Sequence, residues 1–450
     1  MATANVTVGI LRKLLAGGVT GRAERLLARL HPADLAPLLS GLEPDEIRTV
    51  VDLLFSSQRA ANTLKELPPE LLPQVIESLS DERLAEVMAR LEIDDLLELI
   101  GAVPEERRAA VVARLPEPKQ AELRKAEMYP PESAGRVMTT RFVALEETMA
   151  AQAAIDRLRA AGDDSEAIMY LYVVNGENRL RGVVPIRRLV SAPPNKLCGE
   201  LMIPDPASVN VRADQEEAAR LVARYNLLAI PVTDDDGRML GVITVDDVID
   251  VITEEATEDM YQMAGLSEED RVFSPAAQSI RKRLPWMLIN LATAFLAAWV
   301  VGLFEHSIAQ IVALATFMPI VAGMGGNGGT QALTVITRGI ALGEIEFSSG
   351  LRAVVKEVMV GFAIGAATGL VSAVAAFLWR GNPFLGLVLF LAMVINMGVA
   401  GLSGAAIPIL LKAVRQDPAL GSGVIVTTFT DVFGFLSFLG IGTLLIDHLK

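Results

Sequence analysis

Charged residues vanish from long stretches in the last third of the chain, and the lengths of those stretches predict membrane spans. Residues 284–304 form an uncharged run of 21, 307–337 a run of 31, 358–379 a run of 22 and 381–411 a run of 31. The stretch 418–446 holds one charge, Asp431. A helix needs about 20 apolar residues to cross a bilayer, so five spans is the simplest reading of 284–450. Cations at the span ends set the orientation. With the N-terminus inside, Arg281, Lys282, Arg283, Arg338, Arg352, Lys356, Lys412 and Arg415 flank the inner side, and only Arg380 and Lys450 the outer. The C-terminus is then outside. Trp286 and Trp379 stand near span ends as interfacial anchors. The expected location is the cell (inner) membrane.

Upstream the pattern changes. Leu30, Leu42, Leu54, Leu67, Leu79, Leu91, Val103 and Leu115 recur at spacings of 12, 12, 13, 12, 12, 12 and 12. Turn or N-cap signals open several units: His31-Pro32, Glu43-Pro44, Pro68-Pro69, Ser80-Asp81 and Pro104. Short helices stacked in a superhelical array would bury these leucines together. Two similar segments follow, each a short strand, a helix, two strands around a polar turn and a second helix. Asn175-Gly176 and Asp236-Gly237 supply the turns. These segments resemble a pair of CBS modules, which pack together and bind adenine nucleotides or act as regulatory hinges. The module signature stands in the second copy as Gly241, Val242, Ile243, Thr244 and Asp247, which makes Thr244 and Asp247 candidate nucleotide contacts. The first copy has Pro185 and Arg188 at the threonine and aspartate positions, so it lacks the carboxylate that would bind ribose hydroxyls. The acidic segment EEATEDMYQMAGL reads as a helix leading to the membrane.

The predicted fold is therefore a mainly α multidomain membrane protein. It comprises a cytosolic helical superhelix (1–130), α/β tandem CBS modules (131–200 and 201–253), a connecting helix (254–283) and a five-helix transmembrane pore domain (284–450).

Charge sharpens the division. The chain has 54 acidic and 40 basic residues, a formal charge of −14. Residues 284–450 hold seven of each, so the entire excess lies in the first 283. An acidic surface excludes nucleic acid as a partner. The N-terminus lacks the apolar core of a signal peptide, so the first 283 residues are expected in the cytoplasm. One cysteine, Cys198, rules out an intrachain disulfide and a thiolate metal cluster. His31, His306 and His448 are far apart, and HExxH, GxSxG and Walker patterns are missing. No catalytic constellation is visible, and the chain is not expected to be an enzyme.

The polar residues inside the spans carry the functional signal. Asp431 falls near mid-bilayer, where a carboxylate costs roughly 2.5–3.5 kcal/mol unless it meets water or a partner. Thr427 and Thr428 lie four and three residues earlier and share its helix face. An oxygen-rich face without sulfur or imidazole suits a hard cation such as magnesium or calcium. The second span holds Pro319–Gln331, with five glycines between 323 and 329. They are expected to weaken the helix, so that a broken segment lines a cavity with Asn327, Thr330 and Gln331. The alternative is close packing of small residues. In the fourth span Asn396 reads as interhelical glue, beside Ser403 and a kink at Pro408.

This order of parts resembles the MgtE magnesium channel family. The most specific pieces are Pro319…Gly325-Gly326-Asn327-Gly328-Gly329-Thr330-Gln331, Asp417-Pro418-Ala419-Leu420, Thr427-Thr428-Phe429-Thr430-Asp431 and the acidic run Thr244–Asp259. The resemblance implies a homodimer in the lipid bilayer with a pore on its axis. Asp431 would face the ion, with Thr427 and Gly423 contributing hydroxyl or carbonyl contacts. It further implies closure by cytosolic Mg2+ held at Asp94, Asp247, Asp250, Glu255, Glu258 and Asp259, with Asp214 and Glu216 as further candidates. Two other readings stay open: transport of another divalent cation (Co2+, Ni2+ or Mn2+), and a membrane-anchored metal or nucleotide sensor that transports nothing.

Overall fold

The computed structural model describes residues 2–449 apart from 40, 57, 58, 68–70, 162–168, 267–269, 271, 273, 346–348, 415 and 421. The Pro68-Pro69 signal and the flanking cations Arg415 and Lys450 lie outside the described residues. The chain divides into two units, Met1–Ile252 and Thr253–Lys450.

The first unit opens with ten helices: α1 (Ala2–Ala16), α2 (Thr20–Leu27), α3 (Pro32–Leu39), α4 (Pro44–Ser56), α5 (Ala60–Leu64), α6 (Leu72–Ser78), α7 (Asp81–Met88), α8 (Ile93–Ala102), α9 (Glu105–Val112) and α10 (Glu117–Ala126). Of the repeating apolar positions only Leu54 lies inside a helix; the others fall just past helix ends, at the corners. All are buried except Leu30, which is half-buried. The period thus marks where the chain turns back over its own core. Each helix end leaves carbonyls without intrahelical partners, and arginines about two units further along serve them. Arg59 donates to Leu27 O and Leu30 O at 2.5 and 2.6 Å. Arg107 donates to Ile76 O and Leu79 O at 3.0 and 2.6 Å while pairing with Asp81. A cation at a helix C-terminus also opposes the helix dipole.

The tandem modules follow as α11 (Ala134–Val137), β1 (Ala144–Glu146), α12 (Ala151–Ala161), β2 (Tyr170–Val174), β3 (Leu180–Pro185), α13 (Ile186–Ser191), α14 (Cys198–Leu201), β4 (Ile203–Pro204), β5 (Val209–Asn210), α15 (Gln215–Tyr225), β6 (Ala229–Thr233), β7 (Met239–Thr244) and α16 (Val245–Met263). Their sheets run β1-β2-β3-β4 and β5-β6-β7. The modules exchange edges: β4 pairs antiparallel with β3, and Thr139 bridges to Val242 on β7. Each crossing needs a glycine. A Cβ on Gly182 would lie 2.9 Å from Ile203 O, and one on Gly241 2.7 Å from Thr139 O. Gly241→Ala is therefore expected to cost about 1–3 kcal/mol by overpacking. The measurement is the thermal unfolding midpoint of the purified protein, and an unchanged midpoint would show that this edge yields freely.

The acidic segment continues the last module helix without interruption and stops at Met263. Gly265 then turns the chain with φ +68, and Pro275 caps the next helix. Residues 254–283 are thus not one helix. The second unit continues with α17 (Ala276–Gly302), α18 (Glu305–Gln310), α19 (Ala313–Ala341), α20 (Gly350–Arg380), α21 (Pro383–Ala413), α22 (Ser422–Leu444) and α23 (Ile446–Leu449). Among the described residues, four helices are long and apolar enough to cross a membrane: α17, α20, α21 and α22. The fifth long helix, α19, has 29 residues. Its glycines and the polar Asn327, Thr330 and Gln331 dilute its apolar character. At the centre stands α21, with 61% of its apolar window buried against 11% for α17.

The expected break in Pro319–Gln331 does not occur, because α19 is helical throughout. Three of the five glycines are instead where other helices press in. A Cβ on Gly325, Gly328 or Gly329 would come within 2.3, 2.5 and 2.4 Å of Asn396, Met397 and Val426 respectively. Each glycine costs about 1 kcal/mol of helix propensity. Close backbone approach offsets this in a membrane, where packing rather than hydrophobicity joins helices.

Candidate ion pathway and acidic clusters

Asp431 lies on the third turn of α22 and is half-buried. Thr427 and Thr428, one turn earlier, are half-buried too. Their hydroxyls donate back along the helix: Thr427 Oγ1 to Gly423 O and Val424 O at 3.0 Å each, and Thr428 Oγ1 to Val424 O at 2.7 Å. With their protons so used, these oxygens have only lone pairs to offer a ligand. Across the helix pair, a Cβ on Gly326 of α19 would be 3.9 Å from Thr427 Cγ2. Beside it Asn327, Thr330, Gln331 and Thr334 are exposed, a polar stripe on a helix otherwise built for membrane packing. Among the described residues no side chain forms an ion pair or hydrogen bond with Asp431, and no group of three or more His, Cys, Asp or Glu comes together to hold a metal. A single chain supplies this face with one carboxylate.

Gly423, expected from sequence among the ion contacts, packs against the end of α16. Its carbonyl accepts from Thr427, and a Cβ on it would lie 2.5 Å from the Met263 carbonyl oxygen. The C-terminal end of α16 therefore rests on the first turn of α22.

Within the first unit, Asp94 on the first turn of α8 approaches Asp247 on the first turn of α16. Asp94 is half-buried, and its Oδ1 is enclosed without a hydrogen-bond partner among the described residues. Burial, followed by repulsion from Asp247 and Asp95, pushes its carboxyl up to about 8. Burial likewise raises Asp247 to about 6, against the opposing hydrogen bond from Thr244. Just ahead of α8, Glu92 accepts from Thr139 Oγ1 at 2.7 Å and pairs with Arg141 at 2.9 Å, which ties the start of α8 to the segment that bridges β7 at Val242. Lys65 pairs with Asp95 at 3.6 Å. Asp250 lies exposed one turn further along α16.

The nucleotide candidates Thr244 and Asp247 bond to each other. Asp247 Oδ2 accepts from Thr244 Oγ1 at 2.6 Å and from Thr244 N at 3.2 Å, which caps α16. Asp214 caps α15, accepting from Glu216 N at 2.8 Å; Glu216 follows on the same first turn. In the first copy, Arg188 donates to Leu201 O at 3.4 Å.

In the second unit Glu255, Glu258 and Asp259 are half-buried along one side of α16. Glu258 accepts from Gln262. Burial, then repulsion from Asp417, raises Asp259 to about 6, while Arg338 opposes the shift. Asp417 is absent from the ion ligands expected from sequence. Its signal was the Asp417-Pro418-Ala419-Leu420 motif, whose turn it makes by accepting from Ala419 N at 2.7 Å.

Comparison with known proteins accounts for this arrangement along nearly the whole chain. Residues 318–441 match the family model for MgtE, a divalent cation transporter. Residues 30–132 match the MgtE intracellular N domain, and 134–195 and 198–254 match the CBS domain. The magnesium transporter MgtE of Thermus thermophilus is 35% identical over 442 residues, covering 97% of this chain and 98% of that protein. The Bacillus subtilis protein of the same name is 36% identical over 321 residues, 71% of each. A crystal structure of the cytosolic domain of the Mg2+ channel MgtE in complex with ATP is similar with a TM-score of 0.52 at 35% identity, covering 54% of this chain and 99% of that one. With its helical array, its module pair and its apolar helices in the same order, the chain belongs to the MgtE family of divalent cation transporters.

Proposed function

We propose that the protein is a magnesium channel that admits Mg2+ across the cell membrane and closes when cytosolic Mg2+ binds its acidic segments. The observation that carries this reading is Asp431, an uncompensated carboxylate on a polar face of an otherwise apolar helix bundle. Such a group is tolerated where it meets water or an ion. One carboxylate per chain, on a face whose α19 stripe is open, supports a homodimer that brings two together. Magnesium gives up its water reluctantly, so paired carboxylates with neutral oxygens around them suit the hydrated ion. Cobalt and nickel favour imidazole or thiolate; Cys198 is buried in the first module, and no histidine lies within the long helices. The cation bias at the span ends supports an inside N-terminus and an outside C-terminus. The ATP complex of the related cytosolic domain supports an adenine nucleotide site in the CBS pair, and equilibrium binding of ATP to the whole chain tests it.

Gating follows from α16, which carries Asp247 and Asp250 at its start and Asp259 near its end, and finishes at Met263. Mg2+ between Asp94 and Asp247, and between Asp259 and Asp417, relieves repulsion and holds α16 with its last carbonyl against Gly423. Without Mg2+ those carboxylates push apart and the seat is released. The ion shifts the population by its differential affinity for the two states.

Flux of Mg2+ into proteoliposomes holding the purified protein, followed with an enclosed Mg2+ dye, tests the reading. Flux that falls as Mg2+ rises on the cytosolic side is expected. A silent protein would instead favour a sensor without transport. Gly423→Ala should crowd the Met263 carbonyl and weaken closure, raising the Mg2+ concentration for half-inhibition by about fivefold or more. An unchanged half-inhibition concentration would remove α16 from the closing step.

A further inference from the structure

We propose that Asn396 is the positioning residue of the ion pathway: from the core of α21 it sets the spacing and rotation of α19 and α22, the helices carrying Asn327 and Asp431. The proposal rests on the reading that these two helices line the path. Asn396 is fully buried, and its Nδ2 donates to Val321 O of α19 at 2.8 Å. The same amide fills notches on both neighbours. A Cβ on Gly325 of α19 would lie 2.3 Å from Nδ2, and one on Gly434 of α22 would lie 2.6 Å from it. One side chain of α21 therefore touches two further helices at a single level, with a directional bond to one of them.

Oδ1 of Asn396 has no hydrogen-bond partner among the described residues. The amide is thus not part of a saturated polar network, and its burial is costly. Leucine would fill a similar volume without that cost, yet it would have no donor for the Val321 carbonyl. That bond holds α19 at one axial register. Gly434 stands three residues beyond Asp431, so its seat on the amide sets the rotation of α22. A shift of one residue turns a helix by about 100°, enough to swing the carboxylate off the polar face. Neighbouring contacts stiffen the same junction: Met397 occupies the space over Gly328, and Val426 of α22 that over Gly329.

The experiment is a double-mutant cycle on the full-length protein in proteoliposomes, using Asn396→Ala, Gly325→Ala and both together. Mg2+ flux, the ratio of Mg2+ to Ca2+ flux and the thermal midpoint are each read. Gly325→Ala alone should lose about tenfold or more of the flux, because its methyl meets the amide. The double variant should recover about threefold or more of that loss, since contacting residues are non-additive. Asn396→Ala alone should stay monodisperse yet narrow the Mg2+ to Ca2+ ratio severalfold, and Asn396→Leu, which keeps a similar volume without the donor, should not restore it. Gly440→Ala, on the same α22 with open space around it, should change nothing. If Gly325→Ala fails to insert, Gly434→Ala with Asn396→Ala reads the same coupling from α22. Additive effects, or an unchanged ion ratio in Asn396→Ala, would overturn the proposal. Failure of the underlying pathway reading is separate: it appears as full flux in Asp431→Ala, whatever the 396–325 coupling of thermal midpoints shows.

Discussion

Asp431→Ala is expected to abolish Mg2+ flux while leaving the protein folded and inserted. The carboxylate makes no side-chain bond among the described residues, so its removal leaves no partner stranded. On the proposed reading, its loss instead strips the pathway of the charge that balances the hydrated divalent ion. At the effective dielectric of a protein, one carboxylate near a cation contributes several kcal/mol, so a fall on the order of a hundredfold or more is expected. Proteoliposome flux at equal protein content checks it, with the thermal midpoint as the folding control. Asp431→Asn keeps the shape and should fail almost as badly, which separates charge from packing. Flux near the unaltered level in either variant would move the ion site elsewhere.

Neutralising the acidic contact of the first unit should have the opposite effect. With Asp247→Asn and Asp250→Asn together, the channel is expected to stay conducting at cytosolic Mg2+ that closes the unaltered protein, with sensitivity shifted by about tenfold or more. Persistent closure would leave these carboxylates as ordinary solvated charges. Proton linkage gives the sign of the pH dependence. Asp94 and Asp247 have carboxyls raised to about 8 and 6, so the metal-free fold holds their protons more tightly than the unfolded chain does. Its stability therefore falls as pH rises from about 4 towards 8. Bound Mg2+ must displace those protons, so it stabilises more at pH 8 than at pH 5.5. Thermal midpoints at both pH values, with and without Mg2+, measure this, and an equal Mg2+ increment at both would separate the pair from the metal. Asp247→Asn also weakens the cap on α16, so Asp250→Asn alone is the control that spares the capping bond.

Much of the architecture was legible because it depends on one-dimensional patterns. Uncharged runs mark membrane helices since no charge is cheap in hydrocarbon. The twelve-residue leucine period marks a stack of short helices, although its residues proved to close the corners rather than to line helix faces. The module pair was visible from its strand, turn and helix order, but the exchange of edges through Thr139 and β4 was not, because strand pairing across the pair joins distant residues. The glycine-rich segment misled for a physical reason. Propensity alone says that Gly325, Gly328 and Gly329 loosen a helix, whereas the pressure of Asn396, Met397 and Val426 on them holds it intact.

The sequence by itself determined which groups are chemically available: a lone acid at Asp431 among hydroxyls, an acidic excess confined to the first 283 residues, and an apolar remainder without imidazole or thiolate inside its long helices. Only the tertiary structure decided which of those groups meet. It brought Asp94 to Asp247, drew Asp417 to Asp259, placed Gly423 under the end of α16, and set Asn396 between two glycines of different helices. Solvation cost depends on each residue and its neighbours in sequence, so it can be read along the chain. Electrostatic coupling and close packing depend on distances between residues up to about 160 positions apart, which folding alone establishes.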